Sequence, residues 1–292
     1  MACAVLACAR VAAAGGPAAA PALSQLAALA FPGWADSAAG RVHTVPLPAS
    51  LAVHGGYASW SPGANRVLVD PRLALRLDPT HLVLVAGLAP AREDGRPAAG
   101  QLAPMALAAY QFELRDGAWG LAQRQGIFAL RGFSGAAALR AVALSNGRQG
   151  LAVEYGSCWD GYCGTWLALY ELQDGMMRRE PAVELALSGV NVDSAGDCQR
   201  RLQPLLKARV QDTPVHDGGG PADGHDCYAI DGSWSIETAH DEPGDLVLHY
   251  QGAMSRGEAH ALAPSAFDQR QVLRYGGGKY RAVSGFDPVP PI

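Results

Sequence analysis

Lysine is nearly absent from this sequence, since Lys207 and Lys279 are the only two among its 292 residues. Charged residues make up 17% of the chain, against about 25% in an average globular protein, and no run of basic residues occurs. Proteins that bind nucleic acid usually carry such a run or a basic surface patch. The composition therefore argues against nucleic acid as a partner.

The N-terminal apolar segment is too short to cross a membrane. A spanning helix needs about 20 apolar residues, whereas Arg10 interrupts the small, apolar residues 1–14. Ala12-Ala13-Ala14 fits a small-residue cleavage site, so residues 1–14 are predicted to be a signal leader. A second interpretation is that residues 5–8 resemble a bacterial lipoprotein box, with Cys8 as a lipid anchor. Both interpretations predict an exported protein, periplasmic or secreted, with no transmembrane span; the alternative is an Ala-rich tail on a cytosolic protein.

Four cysteines remain once the leader is set aside: Cys158, Cys163, Cys198 and Cys227. An even number of cysteines in an exported chain predicts two disulfides. Cys158 and Cys163 flank a four-residue loop between two strand-like runs, which would place their sulfurs across a hairpin, and Cys198 would then pair with Cys227. A zinc site is the alternative, but these spacings fit the short cysteine pairs of zinc sites poorly.

Glycine and proline are abundant, which favours many short strands over a few long helices. The 35 glycines and 20 prolines make up about 19% of the chain, against about 12% on average. Residues 15–65 are predicted to form an Ala-rich linker, a short helix over residues 23–32 and lead-in strands. Residues 66–292 are predicted to form a single repeated β domain.

Three stretches of that domain repeat one pattern of alternating apolar residues. Residues 81–87, 150–156 and 245–252 each run apolar and end at glycine, with the period of two that is typical of strands. A similar strand precedes each stretch across a turn, and two more strands follow it. We therefore predict an all-β fold of three four-stranded antiparallel units. Repeated four-stranded meanders resemble the blades of a β-propeller, and a β-sandwich is the alternative arrangement.

The long loops of this predicted meander all fall at one end, because alternate connections of an up-and-down sheet leave from the same end. They cover residues 88–106, 126–136, 157–165, 188–230 and 252–270. Loops concentrated at one end are the expected place for a ligand surface. Since Tyr, Trp and Arg often anchor binding surfaces, the predicted binding residues are Trp159, Asp160, Tyr162, Arg256 and His260. The alternative is that Trp159 and Tyr162 only cap their own hairpin.

Motifs for catalysis and metal binding are incomplete in this chain. Residues 132–136 lack the glycine spacing and the strand–turn–helix context of a nucleophile elbow. Residues 276–280 lack the spacing of a phosphate loop, and residues 216–226 lack the alternating oxygen ligands of a calcium loop. No catalytic residue, metal or cofactor is predicted.

The sequence alone is best interpreted as an exported, non-enzymatic binding module for a protein or glycan ligand. A hydrolase that uses carboxylates or a histidine at the same end is the first alternative. A structural component of the cell envelope is the second.

Overall fold

The protein is described by a computed structural model. The residues that the structure describes are 20–52, 60–61, 63–98, 103–132, 137–192, 198, 201–202, 205, 226–237, 242–255 and 265–290, without the side chains of Ala52 and Trp159. Within these ranges no helix is both long enough and apolar enough to cross a bilayer.

The predicted N-terminal helix is present and belongs to the core of the first sheet. Helix α1 (Leu23–Ala30) buries Leu26, Ala27 and Ala30 completely. Its apolar side packs with Phe31 against strand residues of the first sheet. A second, four-residue helix, α2 (Ala49–Ala52), follows the first strand.

The first sheet contains five strands in chain order, each antiparallel to the next. They are β1 (Val42–Leu47), β2 (Gly63–Arg76), β3 (His81–Pro90), β4 (Met105–Arg115) and β5 (Ala118–Arg131). Strands β3 and β4 lie at the centre and are buried on both faces, because α1 covers one face and the second sheet covers the other.

The second sheet contains the remaining nine strands and is also an antiparallel meander. They are β6 (Ala138–Ser145), β7 (Arg148–Trp159), β8 (Tyr162–Gln173), β9 (Met176–Met177), β10 (Val183–Val190), β11 (Cys227–Glu237), β12 (Asp245–Ser255), β13 (Ser265–Gly276) and β14 (Lys279–Ser284). The two-residue β9 pairs with the end of β8, and β10 then takes its place beside β8.

The second sheet curls into a half-barrel around its own apolar core. The backbone N–H of Tyr280 in β14 donates to the carbonyl oxygen of Ala182, just before β10, over 2.9 Å. The N–H of Gly244 donates to the carbonyl oxygen of Leu144 at the end of β6 over 2.8 Å. A separate apolar layer, which includes Phe128 and Tyr170, joins this half-barrel to the first sheet.

The all-β class is confirmed, and the strands predicted for the three units are present as β2–β5, β6–β9 and β11–β14, although β9 has only two residues. Their assembly differs from a propeller. Strand β10 connects the second and third units into one continuous sheet, so these units do not form separate blades. The two sheets instead pack on each other through a shared core, which is closer to the sandwich alternative. The sequence pattern repeats within strands and carries no information on whether successive units share hydrogen bonds.

Alternate connections define two ends of each sheet. The loop end carries the connections β1–β2, β3–β4, β5–β6, β7–β8, β10–β11 and β12–β13, and the turn end carries the others. Five turn-end connections are tight, whereas residues 178–182 and 238–244 are longer. At the loop end residues 91–104, 191–226 and 256–264 separate consecutive strands. The loop end therefore carries most of the long connections, but the prediction that all of them fall there was wrong for residues 238–244.

A methyl group added at Gly252 is expected to destabilise the half-barrel strongly. The new Cβ would overlap the carbonyl oxygen of Ala229 and lie 2.9 Å from the Cα of Ile230, both in the backbone of β11. Because backbone atoms cannot rotate away, Gly252→Ala should lower the free energy of unfolding by about 3 kcal/mol. Gly120→Ala in β5 is the matched control, since its Cβ would meet nothing within 4 Å. Urea denaturation should show a change below about 0.5 kcal/mol for that control; equal losses for the two variants would contradict this packing.

Candidate functional site

The β7–β8 hairpin has its turn at the loop end and is closed by the first disulfide. Its strands pair without interruption from Gly150 and Glu171 to Trp159 and Tyr162. The predicted long loop over residues 157–165 was wrong, because the connection is only the two-residue turn Asp160-Gly161, with φ of 48° and 82°. An Asp-Gly pair adopts such positive φ values readily and makes a tight hairpin.

Both predicted disulfides are present. Cys158 and Cys163 stand directly opposite each other in the hairpin, with their Cα atoms 4.0 Å apart. Cys198 bonds Cys227 at the start of β11, with a Cα–Cα distance of 5.1 Å. Cys158 is exposed, whereas Cys198 and Cys227 are fully buried in a small apolar cluster. The hairpin disulfide therefore joins the strands next to an exposed turn, and the second disulfide lies inside the fold.

The predicted binding residues are only partly placed by the structure. Asp160 is exposed in the turn, and Tyr162 is the first residue of β8 with an exposed fraction of 37%. Trp159 ends β7 opposite Tyr162, but its side chain lies outside the described part. Arg256 and His260 lie outside the described residues altogether. Their membership of one surface therefore stays a prediction.

Further along the hairpin, a polar cluster joins four strands from both sheets. We call it the Tyr155 cluster, and it consists of Arg131 (β5), Tyr155 (β7), Tyr170 (β8) and Glu184 (β10). The hydroxyl of Tyr155 donates a short hydrogen bond to Glu184 Oε1. Arg131 Nη2 donates to Glu184 Oε2 over 2.8 Å. Because one arginine and one carboxylate contact each other, the cluster has no surplus charge.

Burial keeps the phenols of this cluster protonated. Burial raises the pKa of Tyr155, and the hydrogen bond to Glu184 raises it further. Burial also raises the pKa of Tyr170, whose ring lies 5.8 Å from the guanidinium carbon of Arg131. The Tyr170 hydroxyl and Arg131 Nε are buried and have no hydrogen-bond partner in the described part of the chain. Tyr155 is therefore a neutral hydrogen-bond donor rather than an activated nucleophile.

Tyr155 also forms an aromatic pair on the hairpin, with Trp166 as its partner. Tyr155 and Trp166 are opposite each other in register, and their half-buried rings stack with centroids 5.8 Å apart and an interplanar angle of 18°. Trp166 is four residues from Tyr162 along β8, or roughly 13 Å at the usual strand rise. The hairpin thus carries flat apolar rings and hydroxyl groups within a short distance of its tip, beside the neutralised Arg131–Glu184 ion pair that β5 and β10 supply.

Sequence reasoning missed Arg131, Tyr155, Trp166 and Glu184 as site residues. One available signal was the turn Asp160-Gly161, because a two-residue turn fixes the hairpin register and so pairs Tyr155 with Trp166. Arg131 and Glu184 are a different case. Arg131 reaches the hairpin through the packing of the two sheets, and Glu184 reaches it through the β8–β10 pairing. Neither contact can be predicted from a local sequence pattern.

Metal ligands do not converge in the described ranges: no group of three or more His, Cys, Asp or Glu side chains there could hold an ion. The segment considered for calcium, residues 216–226, lies outside those ranges except for Asp226.

Fold and site together define an antiparallel two-sheet meander with a disulfide-closed hairpin and a polar–aromatic cluster beside it. No protein-family model matches the chain, and comparison with curated proteins and with solved structures finds no match. Any function must therefore be argued from the geometry of the site.

Proposed function

We propose that this chain is an exported binding protein that captures its ligand, a glycan rather than a protein, with the β7–β8 hairpin. The stacked Tyr155–Trp166 pair beside the Arg131–Glu184 ion pair is the observation that carries the proposal. The Cys158–Cys163 disulfide holds the two strands together next to the turn, since each cysteine is two positions from the nearest turn residue. Such preorganisation reduces the entropy lost when a ligand binds.

The chemistry of the hairpin favours a glycan. Flat aromatic rings offer an apolar face that suits the C–H face of a sugar ring, and ligand sites typically combine such faces with a few polar groups. Arg131 and Glu184 neutralise each other, so the cluster does not select a charged ligand. Asp160 and the Tyr162 hydroxyl supply further hydrogen-bonding groups near the tip.

Binding is also favoured over hydrolysis. Glycoside hydrolysis ordinarily needs two carboxyl groups flanking one bond. The Tyr155 cluster contains one carboxylate, Glu184, and both of its oxygens already accept hydrogen bonds, from Tyr155 and from Arg131. The raised pKa of Tyr155 keeps its phenol neutral, which disfavours it as a nucleophile. These features support a site that holds a ligand without breaking it.

Export is proposed on two grounds. Disulfides form and persist mainly in oxidising compartments, and this chain has two. Residues 1–14 fit a leader, with cleavage near Ala14 or a lipid anchor at Cys8 as the two routes. The intact mass of the mature protein distinguishes them, since cleavage removes the leader and acylation adds the mass of a lipid. An unprocessed chain in the cytosolic fraction would contradict export.

Removing aromatic rings from the hairpin should weaken glycan capture. Binding of the full chain to a panel of neutral and acidic polysaccharides would identify a retained glycan, and titration would give its affinity. We expect Trp166→Ala to raise the Kd by at least about tenfold and Tyr162→Ala by about fivefold, because aromatic anchors commonly contribute 1–2 kcal/mol or more.

Phe286→Ala is the matched control, since this aromatic side chain is 65% exposed and lies in the C-terminal segment after β14. Its Kd should equal that of the parent chain. Unfolding curves of each variant show whether a loss of binding reflects a loss of structure. Equal affinity for all three variants and the parent chain would refute the hairpin as the binding site.

A further inference from the structure

A buried carboxylate lies near the turn end of β8, about 30 Å along the strand from the hairpin tip. Glu171 has an exposed fraction of only 8%. Its Oε2 accepts a hydrogen bond of 2.7 Å from the hydroxyl of Tyr275 in β13. The ring of Tyr275 in turn packs edge-on against Tyr280, with centroids 5.3 Å apart. The carboxylate is thus fixed in place where β13 and β14 close against β8.

Two arginines flank this carboxylate without hydrogen-bonding to it. Arg148 Nη1 lies 3.8 Å from Oε1, and Arg178 Nη1 lies 3.5 Å from Oε2. Both side chains are nearly half exposed, at 45% and 40%. Neither guanidinium donates a hydrogen bond to any residue in the described ranges. Glu171 therefore attracts both cations to one place, and their N–H donors have no hydrogen-bond partner within the described ranges.

The β13–β14 turn helps to position one of these guanidinium groups. Gly278 has a φ of +82°, and a Cβ at this position would lie 2.5 Å from Arg178 Nη1. A side chain at residue 278 would therefore displace the flexible end of Arg178 from its present position. Lys279, the next cation along the turn, is already paired with Glu180 at 3.1 Å.

We propose that Arg148 and Arg178 form an oxyanion site, distinct from the hairpin, that takes a sulfate, phosphate or carboxylate group. Two guanidinium groups against one carboxylate leave one positive charge in excess at this place. Guanidinium groups bind oxyanions through paired, charge-assisted hydrogen bonds. The group could belong to an acidic polysaccharide, to a lipid headgroup or to a small free anion, all of which share this chemistry.

Tyr275 supports the site as an uncharged partner. Burial raises its pKa, and its hydrogen bond to Glu171 raises it further, while Arg148 and Arg178 oppose the shift. The phenol therefore stays protonated at neutral pH. It donates to Glu171 and adds no negative charge that would repel an anion.

Titration of the full chain with sodium sulfate tests the proposal, with sodium chloride at matched ionic strength as reference because salt screens exposed charges. We expect saturable binding of sulfate, a Kd raised about tenfold by Arg148→Gln or by Arg178→Gln, and no saturable binding by the double variant. Arg72→Gln and Arg115→Gln are matched controls. These arginines are exposed and each pairs with one carboxylate on its own strand, so their sulfate affinity should be unchanged.

Glu171→Gln tests the charge of the site, because a loss of structure alone would not tighten sulfate binding. Removing the negative charge between the arginines should tighten sulfate binding several-fold, even if the variant is less stable. Should it fail to fold, the arginine variants still decide the matter. Sulfate affinity that is the same in the parent chain and in the double arginine variant would overturn the proposal.

The source of the anion is distinguished by two further probes, a polyuronate and vesicles with about one third anionic phospholipid. Retention on only one of them, lost in the double arginine variant, identifies a polysaccharide or a membrane surface. Retention on neither, with sulfate binding intact, identifies a small free anion. Trp166→Ala should leave sulfate affinity unchanged, so this result is independent of the hairpin.

Discussion

The protein should unfold steeply in alkali, losing at least about 5 kcal/mol of stability per pH unit once the pH exceeds about 10. Besides Tyr155 and Tyr228, whose pKa burial also raises, the cause is a set of four buried tyrosines: Tyr110, Tyr170, Tyr250 and Tyr280. Burial raises the pKa of Tyr110 to about 12 and raises the pKa of each of the other three.

The direction of this pH dependence follows from which state, folded or unfolded, binds more protons. A phenol in the unfolded chain ionises near pH 10, whereas the buried phenol stays protonated above that pH. The folded state therefore binds more protons than the unfolded state above about pH 10. Stability is fully present below that pH and is lost as the pH rises further, by about 1.4 kcal/mol per pH unit for each tyrosine. Because the chain has only two lysines, few amino groups titrate in the same range.

Urea denaturation at several pH values between about 8 and 11.5 measures this slope. Tyr250→Phe removes one buried phenol, together with its hydrogen bond to the carbonyl oxygen of Ala186, and should reduce the slope by about 1.4 kcal/mol per pH unit. Gly252→Ala is the control, since it lowers stability without removing a phenol and should leave the slope unchanged. A stability that stays constant up to about pH 11 would contradict the burial of these rings.

Removing the buried disulfide should cost more stability than removing the hairpin disulfide. Cys198 and Cys227 are 29 residues apart and Cys158 and Cys163 are 5 apart. Loop-closure entropy in the unfolded chain then gives about 3.6 and about 2 kcal/mol respectively. Replacing Cys198 and Cys227 by alanine also removes two fully buried sulfur atoms from an apolar cluster, which adds the cost of a cavity.

Urea denaturation of the two double alanine variants measures this difference. Limited reduction followed by alkylation gives an independent check, because the exposed Cys158 should make the hairpin disulfide react first. Equal losses of stability, or earlier reduction of the Cys198–Cys227 bond, would contradict the placement of the two bonds.

Strand order was largely predictable from sequence, because period-two alternation and turn residues are local signals. The pairs Asp116-Gly117, Asn146-Gly147 and Asp174-Gly175 each connect consecutive strands, and such pairs are strong hairpin signals in a sequence. The same signal at Asp160-Gly161 was interpreted as part of a longer loop, and that error concealed the hairpin register. A two-residue turn at this position pairs Tyr155 with Trp166 by counting residues along the sequence alone.

Assembly of the sheets was not predictable in the same way. Whether β10 joins β8 to β11 depends on backbone pairing between distant segments, and the sequence carries no local mark of it. The Tyr155 cluster has the same origin, since Arg131 reaches Glu184 from the other sheet. The Arg148–Arg178 site likewise depends on the curl that brings Tyr275 to Glu171.

Two different surfaces thus share strand β8, with the neutral polar–aromatic hairpin towards the loop end and the cationic pair at the turn end. They predict different ligands and respond to different substitutions. Trp166 and Glu171 are five residues apart on β8, and this odd spacing places them on opposite faces of the sheet. Short oligosaccharides therefore separate the two sites in solution.

Hydrogen–deuterium exchange with the glycan selected from the polysaccharide panel gives the most direct test of the hairpin as a binding site. A short fragment of that glycan should slow exchange in peptides that cover residues 150–168 and leave β12–β14 unchanged. Slower exchange in β12–β14 alone, or a panel on which the folded chain retains no glycan, would contradict it.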